Sequence, residues 1–492
     1  MSSLPSSVGL PQEMMLGHLD YSIPPDAKSF SVKVQPSNIS QVQTSFSTGA
    51  TATTYWGDQV FPAQNIIFDL PCGASPSMFL DSRFTTLNFQ MNVAITGAGT
   101  IGTGSFYDAY LRGGAYSWFD RMYITSQNGQ IVEDIGEFGL VNDTLVALQM
   151  NNSVRDGVGN QYGFLSSTGI DSQGHQISVL SSSNGTPATT QTETHSYSIP
   201  LASGVVGVLA DKFLNIGRTS KLQVVLQTSN IIPITGGING AWTGAGTVQV
   251  TLSNFSLQCE YIDIGVNALN MLDQTLVDGK SYIHGTTYRT ASASLPAVSG
   301  TTSLLAGIRA SSVKSLFARF AQSGTASTTN SVNGKYDSFN PIINSINYSV
   351  GGIKYPQTPI NPLLAPSQAF RETQMAIGSF NNSQFQSSII PVRYCKLSAG
   401  GTAQTLSVGA TQEYNWNLGS VPSAQSQFIF GENVEVCARR GLLSGLNCTS
   451  APIFVEMNIA SAPTNAHTLY CIGMLDHVVI HDVRSGDIQV RI

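Results

Sequence analysis

The chain has 492 residues, 41% of them hydrophobic and only 11% charged, with a formal net charge of −6. That balance excludes a disordered chain, which combines low hydrophobicity with high charge. It also argues against direct nucleic-acid binding, because phosphates are engaged by clustered Lys and Arg and residues 1–27 contain neither.

The length fits two all-β domains of roughly 200–250 residues each. No run approaches the roughly 18 apolar residues of a membrane span. Met1–Pro5 lacks the charged and apolar regions of a signal peptide, so no secretory leader is expected. The Asn-x-Ser/Thr matches at Asn38, Asn142, Asn254 and Asn447 are therefore read as chance in a Ser/Thr/Asn-rich chain. Cys72, Cys259, Cys395, Cys437, Cys448 and Cys471 are dispersed without a Cys-x-x-Cys pair, which predicts free thiols rather than a disulfide framework.

In chain order, residues 1–28 have few periodic apolar positions and read as an extended arm. Phe30, Val32 and Val34 alternate as a first strand, and 37–60 is a polar loop or weak strand. Ile66–Leu70 is a short apolar run. Leu87, Phe89, Met91, Val93 and Ile95 then form the clearest half-buried strand. Tyr116–Ile124 reads as strand, Asn128-Gly129 as a hairpin turn and Ile131-Val132 as the return. Val132–Met150 carries Phe138, Val141, Leu145 and Leu148 near helical spacing, which predicts a helix. Residues 151–192 form a long polar excursion, unusual without structure of its own.

The segment from His195 to Asp263 is echoed near the C-terminus. Tyr197, Ile199 and Leu201 lead through the turn Gly217–Ser220 to Leu222, Val224 and Leu226, then to a strand from Val248 to Ile264. Phe428 and Phe430 open the second version, Thr449-Ser450 precede Ile453, Val455, Met457 and Ile459, and Leu469–Ile480 closes it. The Gly-rich insert Asn230–Thr247 accounts for the longer spacing in the first version. Between them, Asn267–Val277 predicts a short joining helix, 324–337 is a second polar tract, and Ile346, Tyr348 and Val350 alternate. Asn361–Gly378 contains a second substantial helix, and Ile488, Val490 and Ile492 predict a closing strand. Many short strands with few helices indicate β-sandwiches and exclude a doubly wound sheet.

Three stretches suggest chemistry and fail on context. Gly97-Ala98-Gly99-Thr100-Ile101-Gly102, with Asp120 downstream, fits a dinucleotide fingerprint, but further glycines follow where a helix must open. His477 and His481 share a strand face beside Asp482, without the Glu of a zincin or an evident third ligand. Glu133 with Asp134, and Glu432 with Glu435, read as ordinary helix-end or loop charges. No catalytic, cofactor-binding or metal residue is assigned, and no enzyme activity is expected.

Residues Ser196–Gly207 running to Asp211–Leu214, Trp118–Met122 with Gly129 and Glu133, and Gly441–Asn447 entering a strand together carry a family resemblance. With the duplication, they resemble the double jelly-roll major capsid proteins of eukaryotic double-stranded DNA viruses. The resemblance is closest to the polinton-like virus and virophage group, with algal giant viruses and adenovirus-like hexons further off. It implies an all-β chain of two tandem eight-stranded antiparallel jelly rolls with a few short helices. Three copies would form a pseudo-hexagonal capsomer of an icosahedral shell, meeting neighbouring capsomers, penton proteins and minor or cement proteins in the virion. On this reading residues 1–28 are an N-terminal arm, 29–265 the first jelly roll, 266–281 a linker and 282–492 the second. The alternative is a secreted or surface β-sandwich adhesin or carbohydrate-binding protein, which should carry a signal peptide. A polysaccharide-active enzyme would need an aromatic groove, and Trp56, Trp118, Trp242 and Trp416 are scattered.

Overall fold

Ile453, Val455, Met457 and Ile459 are buried, whereas Phe454, Glu456 and Asn458 between them are only half-buried. This period of two is how most of the chain becomes sheet, because successive side chains of a strand point to opposite faces. The computed structural model describes residues 27–48, 61–97, 113–151, 190–322, 338–378, 427–435 and 444–491 apart from isolated positions. It also describes the short stretches 100–101, 106–111, 158–163, 335–336 and 387–389, with residues 154 and 394.

The first half contains β1 (Lys28–Val34), β2 (Gln41–Thr48), β3 (Asn65–Asp69), β4 (Met78–Gly97), β5 (Thr100–Ile101), β6 (Phe106–Leu111), β7 (Phe119–Ser126) and β8 (Ile131–Gly136). It continues with β9 (Thr190–Pro200), β10 (Leu222–Thr228), β11 (Ile234–Asn239), β12 (Trp242–Thr243) and β13 (Gly246–Asp263). One sheet has the order β1-β13-β4-β9, with β2 also on β13, and the facing sheet has the order β3-β10-β7-β8. β1 and β2 pair with successive parts of β13, so they act as one strand interrupted at 35–40. The chain alternates between the sheets in the way that defines a jelly roll. In the predicted insert, β11 and β12 pair with β6 and β5 as ribbons outside the two main sheets.

The second half repeats the plan. It comprises β14 (Lys280–Leu295), β15 (Gly300–Ala306), β16 (Val313–Gln322), β17 (Ile343–Val350), β18 (Ile353–Ile360), β19 (Ile429–Asn433), β20 (Ile453–Ile459), β21 (His467–Asp482) and β22 (Asp487–Arg491). Its sheets run β14-β21-β16-β19 and β15-β20-β17-β18. β22 folds back on β21 where β16 has ended. Each half is thus two facing four-stranded sheets, with strand positions 1-8-3-6 and 2-7-4-5 in the order of the eight main strands. The duplicated segment of the sequence is β9, β10 and β13 in the first roll, and β19, β20 and β21 in the second.

Aromatic rings fill both sandwiches. Phe89 packs on Phe119 at 5.5 Å and on Tyr197 at 5.4 Å, and Tyr348 stacks on Phe430 at 5.7 Å. Each buried ring contributes about 1.5–3 kcal/mol through lost water contact.

Two local predictions need correction. Ala115–Trp118 is a short 3-10 turn, so the strand begins at Phe119 rather than Tyr116. The predicted helix Val132–Met150 divides into β8 and a helix α1 (Phe138–Gln149), separated by Glu137 in the left-handed region at φ 51. Val132 and Ile135 carry the helical phase of Phe138 backwards by chance. In the structure both serve the sheet and are buried. The joining helix α2 spans Gly265–Asp273, and α3 spans Pro366–Ile377 with Pro366 in its first turn and Gly378 at φ 79 closing it. The excursion after residue 163 and most of 324–337 lie outside the described residues.

Candidate functional site at the seam of the two rolls

β8 is the edge strand of one sheet in the first roll, and β14 is the edge strand of one sheet in the second. They meet through side chains, with Glu133 at the centre. Alternation along β8 turns Glu133 inward, where it is 2% exposed, and turns Asp134 outward to Arg121 at 2.6 and 2.7 Å. Glu133 accepts hydrogen bonds from the Gly204 amide at 2.9 Å, from the Thr287 hydroxyl at 2.8 Å and from the Ser203 hydroxyl. Ser203 in turn accepts from the amides of Val205 and Val206, both at 3.1 Å. A buried carboxylate needs several such donors to offset its lost hydration. Here they come from both rolls.

His477 lies beside this cluster. A Cβ on Gly204 would stand 2.0 Å from its Cε1, and one on Gly285 would stand 2.7 Å away. The two glycines make a slot for the imidazole. Further along β21, His481 is buried against Thr219 at 3.5 Å, and burial holds its pKa below the usual value. The Ser220 amide donates to the Gly486 carbonyl at 3.1 Å, so the C-terminal hairpin is tied to the first roll.

A second set of contacts surrounds α1. Arg319 on β16 is 2% exposed and reaches Asp143 at 2.7 Å, the Thr144 hydroxyl at 2.8 Å and the Tyr336 carbonyl at 2.8 Å. Lys335 pairs with Asp120 and Glu137, each at 2.6 Å. Tyr336 fits a slot where Cβ atoms on Gly113 or Gly139 would lie 2.4 and 2.6 Å from its side chain. The Ser388 amide donates to the Ala147 carbonyl at 3.0 Å.

The residues with catalytic overtones are therefore distributed among structural roles. His477, His481 and Glu133 belong to the seam. Gly97 ends β4, and Thr100–Ile101 pair with Trp242–Thr243 as strand; Gly99 and Gly102 lie outside the described residues. Among the described residues no group of three His, Cys, Asp or Glu is arranged to hold a metal. Cys72, Cys259, Cys448 and Cys471 are free thiols. No helix of the described residues is long and apolar enough to cross a membrane. Sequence reading missed Arg319 and Tyr336, although a lone Arg between Phe317 and Phe320 on an apolar strand is the kind of residue that needs a buried partner.

Glu432 and Glu435 also part company. Glu435 pairs with Lys314 at 3.7 Å and accepts from the Ser444 hydroxyl. Glu432 is 7% exposed on β19, where burial, with Glu372 of α3 adding repulsion, pushes its pKa up to about 8. The folded chain thus keeps a proton that the unfolded chain releases above its ordinary value of 4.5, and stability falls as pH rises from there to about 8. His467 acts in the opposite sense. Burial lowers its pKa to about 4, so its contribution is complete above 6.5 and is lost as pH falls through 4. Of these two groups, only Glu432 contributes a slope between pH 6.5 and 8, worth about 2 kcal/mol. Urea midpoints should therefore drop across that window in the wild type and stay flat in Glu432→Gln. A wild-type profile that rises from pH 6.5 to 8 would contradict this.

No protein-family model matches the chain, and no curated protein matches it significantly. Solved structures do. A chain in the cryo-EM structure of the Sputnik virophage aligns with a TM-score of 0.52 at 12% identity, over 92% of this chain and 89% of that one. The mavirus major capsid protein aligns with a TM-score of 0.50 at 9% identity, over 96% of this chain and 91% of that one. Over nearly its whole length, the chain has the double jelly-roll fold of these two structures.

Proposed function

We propose that the chain is the major capsid protein of an icosahedral double-stranded DNA virus and the subunit of a homotrimeric, pseudo-hexagonal capsomer. The observation that carries this reading is the likeness to the mavirus major capsid protein, which extends through both rolls. Composition supports it: a surface with so few charges lets many identical copies pack without like-charge repulsion. The seam supports it as well, because buried hydrogen bonds and ion pairs make the two rolls one building block rather than two domains on a tether. The first roll runs from β1 to β13, the second from β14 to β22, α2 and the residues up to 279 link them, and the residues before Lys28 act as an arm toward neighbouring capsomers, penton proteins or minor and cement proteins. The protein functions in the virion, performs no catalysis and does not contact the genome directly.

The test is the mass and outline of the purified full chain. Native mass spectrometry should give three copies at micromolar concentration, and negative-stain images should show six-lobed particles. A chain that remains monomeric at that concentration overturns the reading.

A further inference from the structure

Beside α1, two carboxylates of the first roll close on a single amine of the second. Lys335 Nζ stands 2.6 Å from Asp120 Oδ1 on β7 and 2.6 Å from Glu137 Oε2 at the junction of β8 and α1. One carboxylate balances one cation, so the second needs another explanation. Glu137 is the unusual member. It is a non-glycine residue in the left-handed region at φ 51, where glycine would sit with less strain. It occupies the N-cap position of α1, yet its side chain makes no capping bond. The carboxylate is aimed at Lys335 instead, and strain of this kind points to a use for the side chain.

Lys335 itself is held with little freedom. The next residue, Tyr336, is wedged against Gly113 and Gly139, and its carbonyl accepts from Arg319 Nη2 at 2.8 Å. The side chains of Lys335, Asp120 and Glu137 are 19%, 27% and 31% exposed, so water reaches each only in part. An amine fixed 2.6 Å from a carboxylate oxygen lies roughly 3–3.5 Å from the carboxyl carbon, the spacing of a near-attack pair.

We propose that Lys335 and Asp120 condense to an isopeptide bond that joins the two rolls covalently, with Glu137 as the proton carrier. One proton passes from the ammonium to Asp120, which leaves a neutral amine beside a carboxylic acid. The Nζ lone pair then attacks Cγ while Glu137 takes a second proton from the nitrogen. Glu137 returns that proton to the departing hydroxyl, the Cγ–O bond breaks and one water leaves. The amide keeps one N–H, and no oxidant, reductant or cofactor enters. Burial works to lower the Lys335 pKa, but Tyr336, Asp120 and Glu137 together raise it well above its ordinary value. The ion pair is therefore the resting form, and the bond forms slowly after folding. Fixed geometry favours the product, and so does the exchange of a partly buried ion pair for a neutral amide. The cross-link is a property of the single chain and does not depend on the capsid reading.

Mass spectrometry of the full chain, held folded at neutral pH for days and then denatured, provides the test. The wild type should lose the mass of one water, and proteolysis should release a branched peptide that joins Lys335 to Asp120. Lys335→Arg, which keeps a cation at the site, should give no branched peptide. Glu137→Gln should accumulate it about a hundredfold more slowly, the usual loss when a proton carrier is removed. A folded wild-type chain that keeps its full sequence mass overturns the bond, whatever its oligomeric state. A branched peptide that forms as fast in Glu137→Gln as in the wild type overturns the role of Glu137.

Discussion

Replacing Arg319 with methionine is expected to destabilise the protein by about 3–5 kcal/mol, the cost of breaking a buried ion pair by removing one partner. The guanidinium is buried between the rolls and divides its hydrogen bonds among Asp143, Thr144 and the Tyr336 carbonyl. Methionine fills much of the volume but leaves Asp143, whose side chain is 15% exposed, without its cation. The carboxylate is then left partly buried without its counter-charge, which costs free energy. Adding Asp143→Asn should restore part of the loss, because the uncompensated charge disappears with it. Urea unfolding of the wild type, both single variants and the double variant gives the coupling directly. Because the pair links α1 of the first roll to β16 of the second, the single variant should also split one cooperative transition into two. A loss below about 1 kcal/mol with cooperativity intact would mean that the rolls are held together elsewhere.

The strands with clean alternation were legible from the residues alone, including β4, β10, β17, β20 and β21, as were α3 and the order of the duplicated segment. Periodicity carries that information because each of those strands has one face in a sandwich core. β14 was not legible. Its sequence from Lys280 to Leu295 is mostly Ser, Thr, Ala and Gly, and one of its edges is covered by the other roll rather than by its own sheet. The seam was hidden for the same reason. Glu133, Thr287 and His477 look like surface residues until a second roll is placed against them, and only Arg319, alone between Phe317 and Phe320 on an apolar strand, carries a local sign of a buried partner. The segment Ser196–Gly207 was recognised through family resemblance. Its physical meaning is a close approach of backbone to His477 and Glu133, which only the folded chain creates.

That close approach makes Gly204→Ala the second large effect. An added methyl would stand 2.0 Å from the His477 Cε1 and 2.5 Å from the Thr286 carbonyl oxygen. Inserting one methylene into a packed site costs about 1–3 kcal/mol, and more when backbone must move. Here the second obstacle is backbone. Any shift of Gly204 that relieves it also pulls the amide from Glu133, now 2.9 Å away. A loss of about 3–4 kcal/mol is therefore expected, at or just above the usual range for overpacking because backbone must move. Combining it with His477→Ala should recover part of this by removing the ring, but not all, since the Thr286 carbonyl remains. Gly129→Ala is the control: nothing lies within 4 Å of its Cβ position, but its φ is +71°, so only backbone strain of about 1 kcal/mol is expected. Thermal or urea unfolding of the four variants separates the two origins. If Gly204→Ala costs no more than Gly129→Ala, the glycine is not holding the rolls at contact distance.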